Sequence, residues 1–231
     1  MTTPSYPTNE VDVRATPAVS AAFLTHAFTW MFAGLLLTAG VAAVVQSNAA
    51  LLRVAEEWFL PLLFGQLALV LVISWAIRRI SATIALALFF VYAASLGLTI
   101  GLIVRAYTGE SVATAFLAAS AMFGGAALYG WTTGRSLAGL GPTLMMGLVG
   151  VIVASVVNVF LASSAVGWII SIVGVVIFTA LTAYDIQRIA KGGLVTTTGS
   201  VEKAAVYGAL ALYLDFINLF LFLLRLLGGR R

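Results

Sequence analysis

The chain has no cysteine and one histidine, His26, among its 231 residues. Without thiols there are no disulfides, thiolate metal sites or cysteine nucleophiles; one imidazole excludes a histidine-clustered zinc centre and leaves any Ser-His-Asp arrangement hanging on that residue. Charge is scarce as well, Asp, Glu, Lys and Arg making up 9% of the chain. That leaves no basic face of the kind that binds nucleic acid, and the net charge of +4 falls to loops and tail. What fills the space is apolar: 62% of residues are hydrophobic and the mean hydropathy is +1.10. A chain of this composition is an integral membrane protein whose first partner is the lipid bilayer.

A helical span needs about 20 apolar residues, whereas a barrel is written in short alternating segments. Runs suited to helices lie near 23–46, 58–77, 82–104, 111–133, 141–162, 165–187 and 205–227. The expected fold is all-α, a seven-transmembrane-helix bundle in one domain over 23–228, because the links are short and favour sequential antiparallel neighbours. Residues 1–22 are polar and proline-bearing and lack the basic start, apolar core and cleavage site of a signal peptide, so a flexible cytosolic tail is expected there, with a short basic tail at 229–231. Gly97 and Gly101 stand four apart and Gly124 and Gly125 are adjacent. Such small residues permit close helix packing inside the bundle, a dimer seam at Gly97 and Gly101 being the alternative.

With a cytosolic N-terminus, that side receives Arg14, Arg78, Arg79, Arg135, Arg188, Lys191 and Lys203, and the opposite loops hold Arg53 and Arg105. This is the positive-inside bias. Seven full spans carry Arg225, Arg230 and Arg231 outward against it, and a re-entrant last segment or six spans would not. The last run is roughly 34 Å of helix at 1.5 Å per residue, which favours a complete crossing. Short loops and an alanine-rich, cysteine-free chain suggest a bacterial cytoplasmic membrane.

Of the eight acidic residues, Glu10, Asp12, Glu56, Glu57, Glu110 and Glu202 fall in tails or loops. Asp185 stands in the last turns of the sixth run and Asp215 in the middle of the seventh. An aspartate at the centre of a span costs roughly 2.5–3.5 kcal/mol, so it normally faces a bundle interior, a partner or water. Helical spacing puts Gly208, Ala211, Asp215, Asn218 and Phe222 on one face, and Thr182, Asp185 and Arg188 on one face of the preceding run. Asp185 also fits a plain i,i+3 pair with Arg188 at a helix end. Two carboxylates brought together in low dielectric cannot both ionise cheaply and can share a proton, which makes a proton-operated switch. Arg78 or Arg79, at the end of the second run, could reach in to compensate the remaining charge. If the last run begins at Ala205, however, Asp215 lies about 15 Å from its cytosolic end, well above Asp185. Pairing then requires a deep start, a tilt or entering water. Of the other polar residues, Asn158 is expected to make an interhelical hydrogen bond, and Trp30, Trp58, Trp75, Trp131 and Trp168 to anchor span ends.

The segments "LTAYDIQRI" and "LYLDFINLFLFLLRLLG", with "LYGWTTGRSLAGLGPTLMMGLVGVIVASVVNVFL" upstream, resemble the transmembrane Bax inhibitor motif family, the Bax inhibitor-1-like proteins, especially bacterial members. The resemblance covers residues 20–228, and the Tyr184-Asp185 and Leu214-Asp215-Phe216-Ile217-Asn218 elements carry it. It implies a fold whose last helix is surrounded by the other six, with Asp215 at the centre. It also implies a pH-sensitive calcium leak in which Asp185 and Asp215 form the proton sensor and line the ion pathway. Tyr184 and Asn218 would support them, and an arginine of the second run, Arg78 or Arg79, would latch the closed state. Calcium is then the transported ion, met transiently by Asp185 and Asp215 as hard oxygen ligands, and no resident cofactor or enzymatic step is expected. Eukaryotic relatives are linked to cell-death suppression and some bacterial ones to membrane protease regulation, so a membrane-protein partner is the alternative. A third reading, an intramembrane aspartyl protease, meets the objection that such enzymes carry Gly-x-Gly-Asp where this chain has Leu212-Tyr213-Leu214-Asp215.

Overall fold

Small polar residues punctuate the chain where its apolar runs break. Asn48, Ser81, Thr108, Ser163 and Ser200 each turn a side-chain oxygen to backbone N–H groups in the first turn of the helix that follows, satisfying donors that hydrocarbon could not. The computed structural model describes residues 17–229, and of residues 17–21 and Thr196 the backbone alone. The helices are α1 (Pro17–Ser47), α2 (Ala49–Glu57), α3 (Phe59–Ala76), α4 (Ala82–Arg105), α5 (Gly109–Thr132), α6 (Gly141–Leu161), α7 (Ser164–Ala190), α8 (Gly193–Thr198) and α9 (Val201–Leu227). A 3-10 turn at Ala138–Leu140 precedes α6. Among the described residues, seven helices are long and apolar enough to cross a membrane: all of these but α2 and α8.

The expected runs match these seven within a few residues, with two exceptions. The first helix starts at Pro17, a residue suited to the first turn, so residues 17–22 are helical and the rest of the expected tail lies outside the described residues. The last starts at Val201 rather than Ala205. Of the expected basic tail, Gly229 alone is described.

Contacts at the two ends of α4 establish that α9 crosses completely. At one end Lys203, in the first turn of α9, donates from Nζ to the Arg78 carbonyl (3.2 Å), in the link before α4. At the other, the Thr108 N–H reaches the Gly229 carbonyl (3.3 Å) and the Gly229 N–H reaches Ser111 Oγ (2.9 Å). The last segment is therefore neither re-entrant nor short of a seventh span. Arg78, Arg79, Arg135, Arg188, Lys191 and Lys203 gather at the first of these ends, called the basic end below.

Close approaches fix the packing. Gly97 and Gly101 of α4 lie against α1, where an added methyl would meet Val41 and the Thr38 carbonyl, or Val45 and the Ala42 carbonyl. These glycines thus form a seam inside the molecule. Gly124 and Gly125 face open space, and the tight crossing of α5 on α7 is instead at Gly130, against the Ala183 backbone. Over its most apolar stretch α9 is 56% buried, the most of any span, and α6 is 11% buried. The last helix packs against α1, α4, α5, α7 and α8, while α3 leans on α4 and α6 on α7. It thus has four substantial spanning neighbours, where the sequence reading expected six.

Candidate functional site: the paired aspartates

The site is set by the register of α7 on α9. Small residues of one helix receive large ones of the other: Gly167 faces Arg225, Gly174 faces Phe222, and Gly208 faces Ile189. Running the helices antiparallel through these points puts Asp215 opposite Thr182, with Asp185 one turn nearer the basic end. The environment agrees, since Asp185 and Thr182 are the side chains that act on the Asp215 carboxyl. Helix α9 starts at Val201, four residues before the expected Ala205, and packs on both α7 and α8.

Asp215 is 4% exposed. Its Oδ2 has no hydrogen-bond partner among the described residues. Thr182, fully buried, directs its hydroxyl proton to the Phe178 carbonyl (2.8 Å). Asp185 is half-buried, and the basic group acting on it is Arg188, one turn along α7. Asp185 thus neighbours Arg188 on its own helix and Asp215 across the seam.

From Arg188 the polar contacts run into α8. Arg188 Nη2 donates to Thr197 Oγ1 (3.1 Å), and Arg78 Nε donates to the Thr197 carbonyl (2.6 Å). Arg79 points elsewhere, its guanidinium 4.2 Å over the Trp75 ring. Of the two adjacent arginines, Arg78 is the one tied to this network. Tyr184 turns away from the pair, packing on Ala126, Leu137 and Ala183, with its hydroxyl against Gly141. Asn218 lies one turn beyond Asp215 and donates to its own helix at the Leu214 carbonyl (2.8 Å). Among the described residues no three His, Cys, Asp or Glu side chains cluster as a metal site would. Calcium takes six to eight oxygens, so two carboxylates can meet it in passing but cannot cage it.

Three features escaped the sequence reading. Helix α8 is too short for a hydropathy signal. Gln187 clamps the link before α6, its Oε1 accepting from the Leu137 N–H (2.7 Å) and its Nε2 donating to the Arg135 carbonyl (2.9 Å). Tyr213 meets Thr38 at 2.6 Å between hydroxyls, and Thr38 lies within hydrogen-bond reach of the Gly34 and Ala93 carbonyls, so α1, α4 and α9 share one buried polar node. Asn158 departs from expectation: it is buried on α6, but its Oδ1 has no partner among the described residues.

Seven helices long and apolar enough to cross a bilayer, with a buried aspartate on the last, define an integral membrane protein of the all-helical kind. The sequence pattern described as "Inhibitor of apoptosis-promoting Bax1" matches residues 20–231, and the chain belongs to that Bax inhibitor family. It is 43% identical over 215 residues to the "Inner membrane protein YbhL" of Escherichia coli, covering 90% of this chain and 92% of that one. It is 43% identical over 209 residues to a protein of Deinococcus radiodurans (90% of each chain) and 37% over 213 residues to one of Rickettsia prowazekii (90% of each). These relatives make it a bacterial-type member.

Proposed function

We propose that the protein is a proton-gated leak for cations, calcium among them, with its basic end and N-terminus in the cytosol. Protonation of the Asp185 and Asp215 pair gates the passage, and no enzymatic step is involved. The observation that carries this reading is Asp215 itself. A carboxyl held in mid-span at a cost of roughly 2.5–3.5 kcal/mol, with one oxygen unpartnered, contributes nothing to packing that a leucine would not do better. A second carboxyl one turn away gives it a charge-sensitive neighbour.

The proposed sign is the one the family resemblance implies, and Arg188 supports it. When Asp185 is ionised it attracts the guanidinium on the next turn and holds the basic end together; acid removes that charge, so acidification opens the leak and alkali closes it. Two carboxylates without a full oxygen cage suit an ion that must enter and leave.

The test is calcium entry into dye-loaded proteoliposomes across a pH series. Flux above empty liposomes that rises as pH falls is expected. If no pH gives flux above the empty control, the leak reading fails, and regulation of a membrane-protein partner, such as a protease or a stress factor, takes its place.

A further inference from the structure

The short segment between α7 and α9 is built as a hinged piece. Both of its ends are glycines with left-handed backbone, Gly192 at φ 69° and Gly199 at φ 85°, a conformation that side-chain-bearing residues rarely adopt. Between them Leu194, 2% exposed, presses into the α7 and α9 seam: an added methyl at Gly208 would stand 3.1 Å from Ile189 and 3.4 Å from Leu194. Gly208 is two turns below Asp215 on the same face of α9. An ion, water or proton carrier approaching Asp215 along this seam from the basic end meets Leu194 first.

Two arginines from different elements meet this segment at Thr197. Arg78, in the link before α4, donates to the Thr197 carbonyl, and Arg188, from α7, donates to the Thr197 hydroxyl, which itself reaches the Gly193 carbonyl at 3.3 Å. The apolar contact of Leu194 and the buried Thr198 hydroxyl seat the segment, and the two charged hydrogen bonds, each stronger than a neutral one, add to that hold.

We infer that Thr197 is the positioning residue through which Arg78 and Arg188 hold α8 as a lid, with Leu194 as its plug, over the basic-end approach to Asp215. The inference rests on the reading of Asp215 as the group that must be reached, and it assigns Arg78 an action through Thr197.

The absence of cysteine makes the lid directly measurable. Ala211 lies between Gly208 and Asp215 on the same face, and Ala211→Cys puts one thiol behind the plug in the full-length protein. Its rate of modification by a charged, membrane-impermeant thiol reagent, with elution as an intact particle checked for each variant, is the readout. With the native lid labelling is slow. Arg78→Gln and Thr197→Val raise the rate about tenfold, the factor given by losing one charged hydrogen bond. Thr197→Ser, which keeps the hydroxyl, and Arg79→Gln, which alters the neighbour stacked on Trp75, leave it slow. Equal rates in Thr197→Val and Thr197→Ser, or a rise in Arg79→Gln matching that in Arg78→Gln, would overturn the inference. Flux reports separately: fast labelling without flux keeps the lid and removes the leak, and gated flux with uniform labelling does the reverse.

Discussion

Asp215 was conspicuous in the sequence because a lone acid inside an apolar run has no local excuse. Asp185 was ambiguous, since the spacing to Arg188 suits an ordinary surface pair, and only the register of two helices brings it under Asp215. Thr38 and Thr197 gave no signal at all. A threonine in an apolar helix can return its hydroxyl to the carbonyl four residues back, as Thr182 and Thr179 do, so its partner on another helix is not written in its own neighbourhood. The node at Thr38 makes a residue-level prediction. Thr38→Val leaves the buried Tyr213 hydroxyl without its partner on α1 and lowers stability in detergent by about 1–3 kcal/mol. Tyr213→Phe costs less, and the double variant costs less than the sum, because the two substitutions remove one shared bond. Thermal melts of the three variants check this; strict additivity would mean that the hydroxyls do not interact.

At the level of elements, the seven runs were legible because their length and apolar composition together suit a bilayer crossing. Their small residues were not equally informative. Gly125 and Gly130 look alike in sequence, yet one faces open space and the other lies on the Ala183 backbone. A methyl at Gly130 meets a carbonyl that cannot swing aside, so Gly130→Ala lowers the melting temperature, at a cost of about 1–3 kcal/mol for forcing α5 from α7. Gly125→Ala leaves it unchanged or raises it, by up to about 1 kcal/mol of helix propensity. Parallel melts of the two proteins decide between a specific crossing and a general preference for small residues. Arg78 and Arg79 were likewise indistinguishable as neighbours, and α8, which separates them by binding one, is shorter than any window that hydropathy can use.

For the whole molecule, the positive-inside bias conflicted with the basic residues after the last run. The structure decides for the crossing: α9, with Arg225 near its end, spans from the Arg78 link to the Thr108 link. The resulting orientation is testable with single thiols on the cysteine-free chain. Ser136→Cys at the basic end should react from the cytosolic side, and Gly229→Cys from the opposite side; reaction of both from one face would break the seven-span crossing. Two carboxylates from two helices acting as one proton switch are tested by the pH midpoint of calcium flux in Asp185→Asn, Asp215→Asn and the double variant, in proteoliposomes beside the wild type. A coupled pair predicts that either single change abolishes the titration and that the second adds little. Independent, additive shifts, or a wild-type midpoint retained in Asp215→Asn, would contradict it.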